Sequence, residues 1–135
     1  MVRSAVQYVG KIDLTIYRCV TADIRTDEVV ITEKQVQHVL QGHPQDAHRR
    51  TLRDLAKVVA EPDYILQDVH EEHVCDTAMV MKRFAAEDGG YRVILRLATS
   101  REPEGIKNSI ITAFYVSEKK WGKYLRNKII LYKRG

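Results

Sequence analysis

The sequence is poor in cysteine, proline and tryptophan. Its 135 residues hold 2 cysteines, 3 prolines and 1 tryptophan. Two thiols, Cys19 and Cys75, do not make a disulfide framework, which points to a reducing, cytoplasmic setting. No apolar run approaches the roughly 18 residues a membrane span needs, so no membrane partner is expected. The opening "MVRSAVQYVGKIDL" lacks the apolar core of a secretion signal. Repeats, low-complexity segments and linkers are also missing, and the length suits one domain spanning 1–135.

What is present is an uneven charge distribution. The net charge is only +4, yet residues 107–135 carry 8 Lys/Arg against Glu118 alone. An acidic body with a basic C-terminal quarter suggests an anionic partner meeting that end.

Hydropathy patterning gives the elements. "KIDLTIYRCV" alternates through Ile12, Leu14 and Ile16 and reads as a strand. "EVVIT" is a second extended piece. "TEKQ", Thr32 to Gln35, is a capping box that opens a helix carrying Val36, Val39 and Leu40. Gly42 and Pro44 stop it, and a second helix runs on to about Ala60 with Ala47, Leu52, Leu55, Val58 and Val59 inward. "EPD" ends that helix, because the residue before a proline is pushed from helical geometry. "YIL", "TAMVMKRF", "YRVILRLA" and "SIITAFYV" read as strands, with "EDGG" as a hairpin signal. "SEKKWGKYLRN" reads as a helix started by Ser117, and "KIILY" as a last strand. The order implies an α+β domain: an antiparallel sheet of four or more strands, with the helices of residues 32–60 packed on one face.

The stretch "HVLQGHPQDAHRR" holds His38, His43 and His48. Five residues rotate a helix by about 500°, and a break intervenes, so the three do not form one stripe. His43, between Gly42 and Pro44, sits at an exposed corner near the start of the next helix, where a phosphate can bind. His38 lies one turn earlier, about 100° from the apolar side. His48, beside Arg49 and Arg50, suits a solvated face. His70, His73 and Cys75 in "HEEHVCD" are zinc-ligand types, but a fourth ligand at finger-like spacing is missing and no metal is expected there. Lys82 alternates with Ala78 and Val80, which puts Arg83 on the opposite face. Arg96 is a guanidinium between Leu95 and Leu97, costly unless it faces a cleft or solvent. Thr112 alternates with Ile110 and Phe114, with Tyr115 on the other side.

The ordered set "ITEKQVQHVLQGHP", "EPDYIL", "VMKRF", "VILRLATS", "NSIITAFYV" and "YLRNKIILYKR" resembles the phage-type nuclease-like branch of the barnase–EndoU–colicin–RelE superfamily, over about Lys11 to Arg134. The resemblance implies a RelE/barnase-like fold and metal-independent RNA cleavage without a cofactor. It implies that Lys82 is a phosphate-side cation and the Thr112 hydroxyl a phosphate contact. Such cleavage uses the substrate's 2′-hydroxyl as nucleophile and needs proton-transfer groups and positive charge around the phosphorane. The expected catalytic set is therefore His43, Lys82, Thr112 and His38. Arg96, Arg83, Tyr115, Lys119, Lys120 and Lys123 are expected to bind RNA, whether tRNA or another cellular RNA. A cognate immunity or antitoxin protein is a second expected partner, with the bacterial host or a target cell as the setting. The competing readings are a catalytically inactive module of the same fold that docks nucleic acid or a virion protein, and a toxin partner that only inhibits or scaffolds.

Overall fold

The computed structural model describes residues 6–40, 48–68, 76–84, 89–101 and 103–134. Within them the element order is β1 (Val6–Lys11), α1 (Leu14–Tyr17), β2 (Glu28–Thr32), α2 (Glu33–Leu40), α3 (His48–Ala60), β3 (Tyr64–Gln67), β4 (Thr77–Lys82), β5 (Gly90–Arg96), β6 (Asn108–Val116), α4 (Glu118–Asn127) and β7 (Ile130–Lys133). The strands form one sheet in the order β1-β2-β6-β5-β4-β3-β7. The expected antiparallel run is present from β3 through β6. The sheet as a whole is mixed, because β2 pairs with β6 in parallel at Val29↔Asn108 and Val30↔Ser109. The final strand does not extend the β4–β6 meander; it crosses to the far edge and pairs with β3.

The first strand is displaced from its expected position. Asp13 adopts an extended conformation and its carboxylate accepts from Thr15 N at 2.9 Å, capping the single turn α1. Capping ends the strand at Lys11, so the Ile12–Leu14–Ile16 alternation has no pleat to follow. Ile12 and Tyr17 enter the core while Leu14 stays at the surface. The Tyr17 hydroxyl donates to Val59 O at 2.8 Å, and burial pushes its phenol far above the ordinary value.

The caps read from sequence are present. Gln35 N donates to Thr32 Oγ1 at 3.2 Å, and Lys120 N donates to Ser117 Oγ at 3.4 Å. Leu55, Val58 and Val59 of α3 share one buried cluster with Ile65, Ala78, Val80, Val93 and Leu95. Burying each such side chain contributes about 1.5–3 kcal/mol. The opposite sheet face is not bare. Leu66, Met79, Met81, Ile94 and Val116 form a second buried cluster around Trp121 of α4. Helices therefore lie on both faces, not on one. Gly89 permits the close approach of β5 to the start of α4: its φ is +75°, and a Cβ there would lie 1.9 Å from Val116 O.

Candidate nucleic-acid interface

Strand register sorts the candidate residues by face. Met81, Arg92 and Phe114 are cross-strand partners, as are Met79, Ile94 and Thr112. All six lie on the α4 side with Arg96, the partner of Thr77 and Ser109. Lys82, Tyr91 and Tyr115 are partners of one another on the α3 side.

A β-bulge sets the position of Thr112. Leu95 pairs with Ile110 and Ile94 pairs with Thr112, which leaves Ile111 as an extra residue in β6. Without it, Thr112 and Ile110 would share a face, as alternation predicts. With it, Ile110 enters the α3-side core while Thr112 and Phe114 turn to the α4 side.

Thr112 and Ile111 form one wall of a groove of about 500 Å³, and Lys34, Gln35, Gln37 and His38 of α2 form the other. Lys34 and His38 lie four residues apart and so share one helix face. The His38 ring meets Phe114 edge-on, with centroids 6.3 Å apart. The Arg92 guanidinium lies 5.8 Å from the Phe114 centroid and 5.2 Å from that of Tyr124 on α4. Thr112 Oγ1 and Arg92 Nε are both buried without a hydrogen-bond partner among the described residues. Beyond Arg92, Lys120, Lys123, Tyr124, Asn127 and Lys128 line a second groove of about 250 Å³.

The remaining candidates fall elsewhere. Lys82 is buried on the α3 side, where Nζ donates to Glu61 O at 2.8 Å and lies 3.5 Å from Asp63 Oδ1. Lys82 and Thr112 are thus on opposite faces and do not converge on one cleft. Arg83 is on the α4 side, ion-paired to Glu118 and 4.6 Å from the Trp121 ring centroid. Tyr115 packs edge-on against Tyr91, whose hydroxyl donates to Asp54 of α3 at 3.3 Å. Lys119 is exposed on α4 but does not line the second groove. His43, His70, His73 and Cys75 lie outside the described residues, and the side chain of His48 is likewise not described. Among the described residues no group of three or more His, Cys, Asp or Glu could hold a metal ion.

Arg92 and Lys34 are the residues that sequence reasoning missed. The signal for Arg92 was available: a guanidinium in "GYRVILR" raises the same question as Arg96, and the two lie four apart on one strand face.

The model of one protein family matches residues 5–133. The chain belongs to PBECR2, the phage-Barnase-EndoU-ColicinE5/D-RelE like nuclease2 family. No curated protein and no solved structure matches it significantly. Family membership covers every strand and helix just described, including both walls of the groove between α2 and β6.

Proposed function

We propose that the chain is an endoribonuclease of phage or toxin type that cleaves RNA through the substrate's own 2′-hydroxyl, without a metal. The reaction needs a group to move the proton, cations to stabilise the phosphorane, and hydrogen-bond donors for its oxygens. In this reading His38 moves a proton at the groove wall. Thr112 Oγ1 donates to a non-bridging phosphoryl oxygen, and Arg92, Arg96 and Lys34 supply positive charge. The single observation that carries the reading is the sharing of one groove by His38 and Thr112, whose hydroxyl oxygen is buried without a hydrogen-bond partner among the described residues. Leaving such a group unpaired costs roughly 1–3 kcal/mol, and a phosphate oxygen would satisfy it. The groove's described lining holds no carboxylate, which suits an anionic substrate better than a cation. Lys82 is assigned a structural role, because its ammonium is committed to Glu61 O and Asp63.

The test is cleavage of a short RNA, with EDTA present, by wild type and by His38→Ala, Thr112→Val and His43→Ala from about pH 5 to 9, a range that spans ordinary histidine titration. Loss of a proton-transfer group should lower the rate roughly 10²–10⁴-fold and flatten one limb of the pH–rate profile. Thr112→Val should lower the rate across the whole range without reshaping the profile. Wild-type rates with an unchanged profile in both histidine variants would remove the histidine mechanism. Activity that vanishes with EDTA and returns with a divalent cation would remove the metal-free one.

A further inference from the structure

The geometry points to a single-stranded substrate, held by stacking of an unpaired base on Phe114, with the strand running from the α2–β6 groove past Arg92 to the basic groove on α4. This inference deepens the ribonuclease reading and rests on it for the location of the cleaved bond.

Phe114 is the observation that starts it. It lies towards the end of β6, beyond the residues that pair with β2 and directly across from Arg92 of β5, and it is 46% exposed. Nearly half of this apolar ring is left accessible beside the groove that His38 lines. The Arg92 guanidinium lies beside it at 5.8 Å, and the His38 ring meets it edge-on. Arg92 also lies over Tyr124, which lines the second groove, so one guanidinium stands between Phe114 and that groove. Lys34 marks one end of this path, and Lys120, Lys123 and Lys128 the other. No acidic residue is among the described lining of either groove.

Alternating aromatic faces and cations are what single-stranded nucleic acid requires. Bases stack on rings while phosphates follow the positive charge. A duplex offers only base edges, because its faces are already stacked, so it cannot use Phe114. An apolar peptide would use the ring but not the lysines and arginine around it. The charge complementarity therefore selects unpaired RNA over both.

The experiment measures binding apart from cleavage. A fluorescein-labelled 2′-O-methyl RNA of about eight nucleotides, a common single-strand site size, lacks the nucleophilic hydroxyl. Its affinity is measured by anisotropy as a single strand and as a duplex with its complement. Wild type should bind the single strand more tightly than the duplex. Phe114→Ala and Phe114→Leu should each weaken single-strand binding roughly 5- to 150-fold, the range expected for one lost stacking contact. Phe114→Trp should retain it. The leucine variant separates stacking from mere apolar contact, and matching thermal melts exclude unfolding as the cause. Binding by Phe114→Ala or Phe114→Leu within about twofold of wild type, equal affinity for duplex, or no wild-type binding at low salt would overturn the inference. Cleavage of the unmodified RNA is scored separately. A protein that binds through Phe114 but does not cut keeps this inference and loses the ribonuclease reading. A protein that cuts but is indifferent to Phe114 does the reverse.

Discussion

The two faces of the sheet treat their polar groups differently. On the α3 side, Tyr17 donates to Val59 O, Lys82 to Glu61 O and Tyr91 to Asp54. These three polar tips each end on a partner within the chain. On the α4 side, Thr112 Oγ1 and Arg92 Nε are buried with no such partner, beside an exposed Phe114 and an open groove. Buried polar groups are nearly always satisfied in folded proteins, so these two exceptions fit the proposed binding surface. In the proposed reading the α3 side serves stability and the α4 side serves recognition.

The sharpest test of this contrast is Trp121. It is 1% exposed and is the residue through which α4 is seated on the second cluster. Trp121→Ala should cost about 3–5 kcal/mol, the usual range for removing a buried Trp. Chemical denaturation would read the loss. A cost below about 1 kcal/mol would mean that α4 is held chiefly by other contacts. The basic groove on its outer side would then not be tied to the stability of the recognition face.

The next test inverts the roles of the two faces. Lys82→Ala should destabilise the fold by about 1–3 kcal/mol, because it strips a buried carbonyl of its donor and leaves Asp63 less well paired. Cleavage per folded molecule should be unchanged. If Lys82→Ala melts like wild type but no longer cleaves, the chemistry lies on the α3 side and the assignment of faces is reversed.

Much of this arrangement was legible in the sequence, and the misses have definite causes. The capping residues Thr32 and Ser117, the inward face of α3 and the β3–β6 strands follow from local periodicity, which the fold obeys. β1 was missed because an edge strand with mostly exposed side chains lacks a strong apolar alternation. The parallel β2–β6 pairing and the crossing of β7 to β3 join segments far apart in the chain, and no local pattern encodes them. The bulge at Ile111 is the most consequential miss. It shifts the side-chain period by one residue and decides which face Thr112 joins. The choice between Lys82 and Arg83 also could not be made from alternation. Alternation separates the two residues but does not say which face is open.

A third test concerns the far end of the recognition face. Lys120 and Lys123 line the α4 groove, while Lys119 does not. Reversing the first two to glutamate should weaken RNA binding and flatten its salt dependence by about 0.7 in the log–log slope per lost phosphate contact. Lys119→Glu should do less. Equal effects at all three positions would indicate diffuse attraction to the basic C-terminal quarter in place of a defined path. Binding that is flat from low to high salt would remove the electrostatic argument altogether.

The smallest effect is expected away from both faces, where two polar loops meet. Ser100 Oγ donates to Asp23 Oδ2 at 2.5 Å, and Ser100 N donates to the same oxygen at 3.2 Å. The side-chain bond from Ser100 is the main influence that lowers the Asp23 pKa, helped by the charges of Arg101 and Arg25. A carboxyl whose folded pKa lies below its unfolded value stabilises the fold above the unfolded value, about 3.9 for an aspartate. That contribution fades as pH falls through the lower, folded value. Asp23 is exposed, so solvent screens the interaction and the effect should be slight. Wild type should melt slightly above Asp23→Asn near neutrality, and this gap should close as pH falls below about 4, the unfolded value. A gap of constant size across that range would mean that the contact does not depend on the ionised carboxylate. The loop junction would then rest on neutral hydrogen bonds, as the Tyr17 contact with Val59 O does.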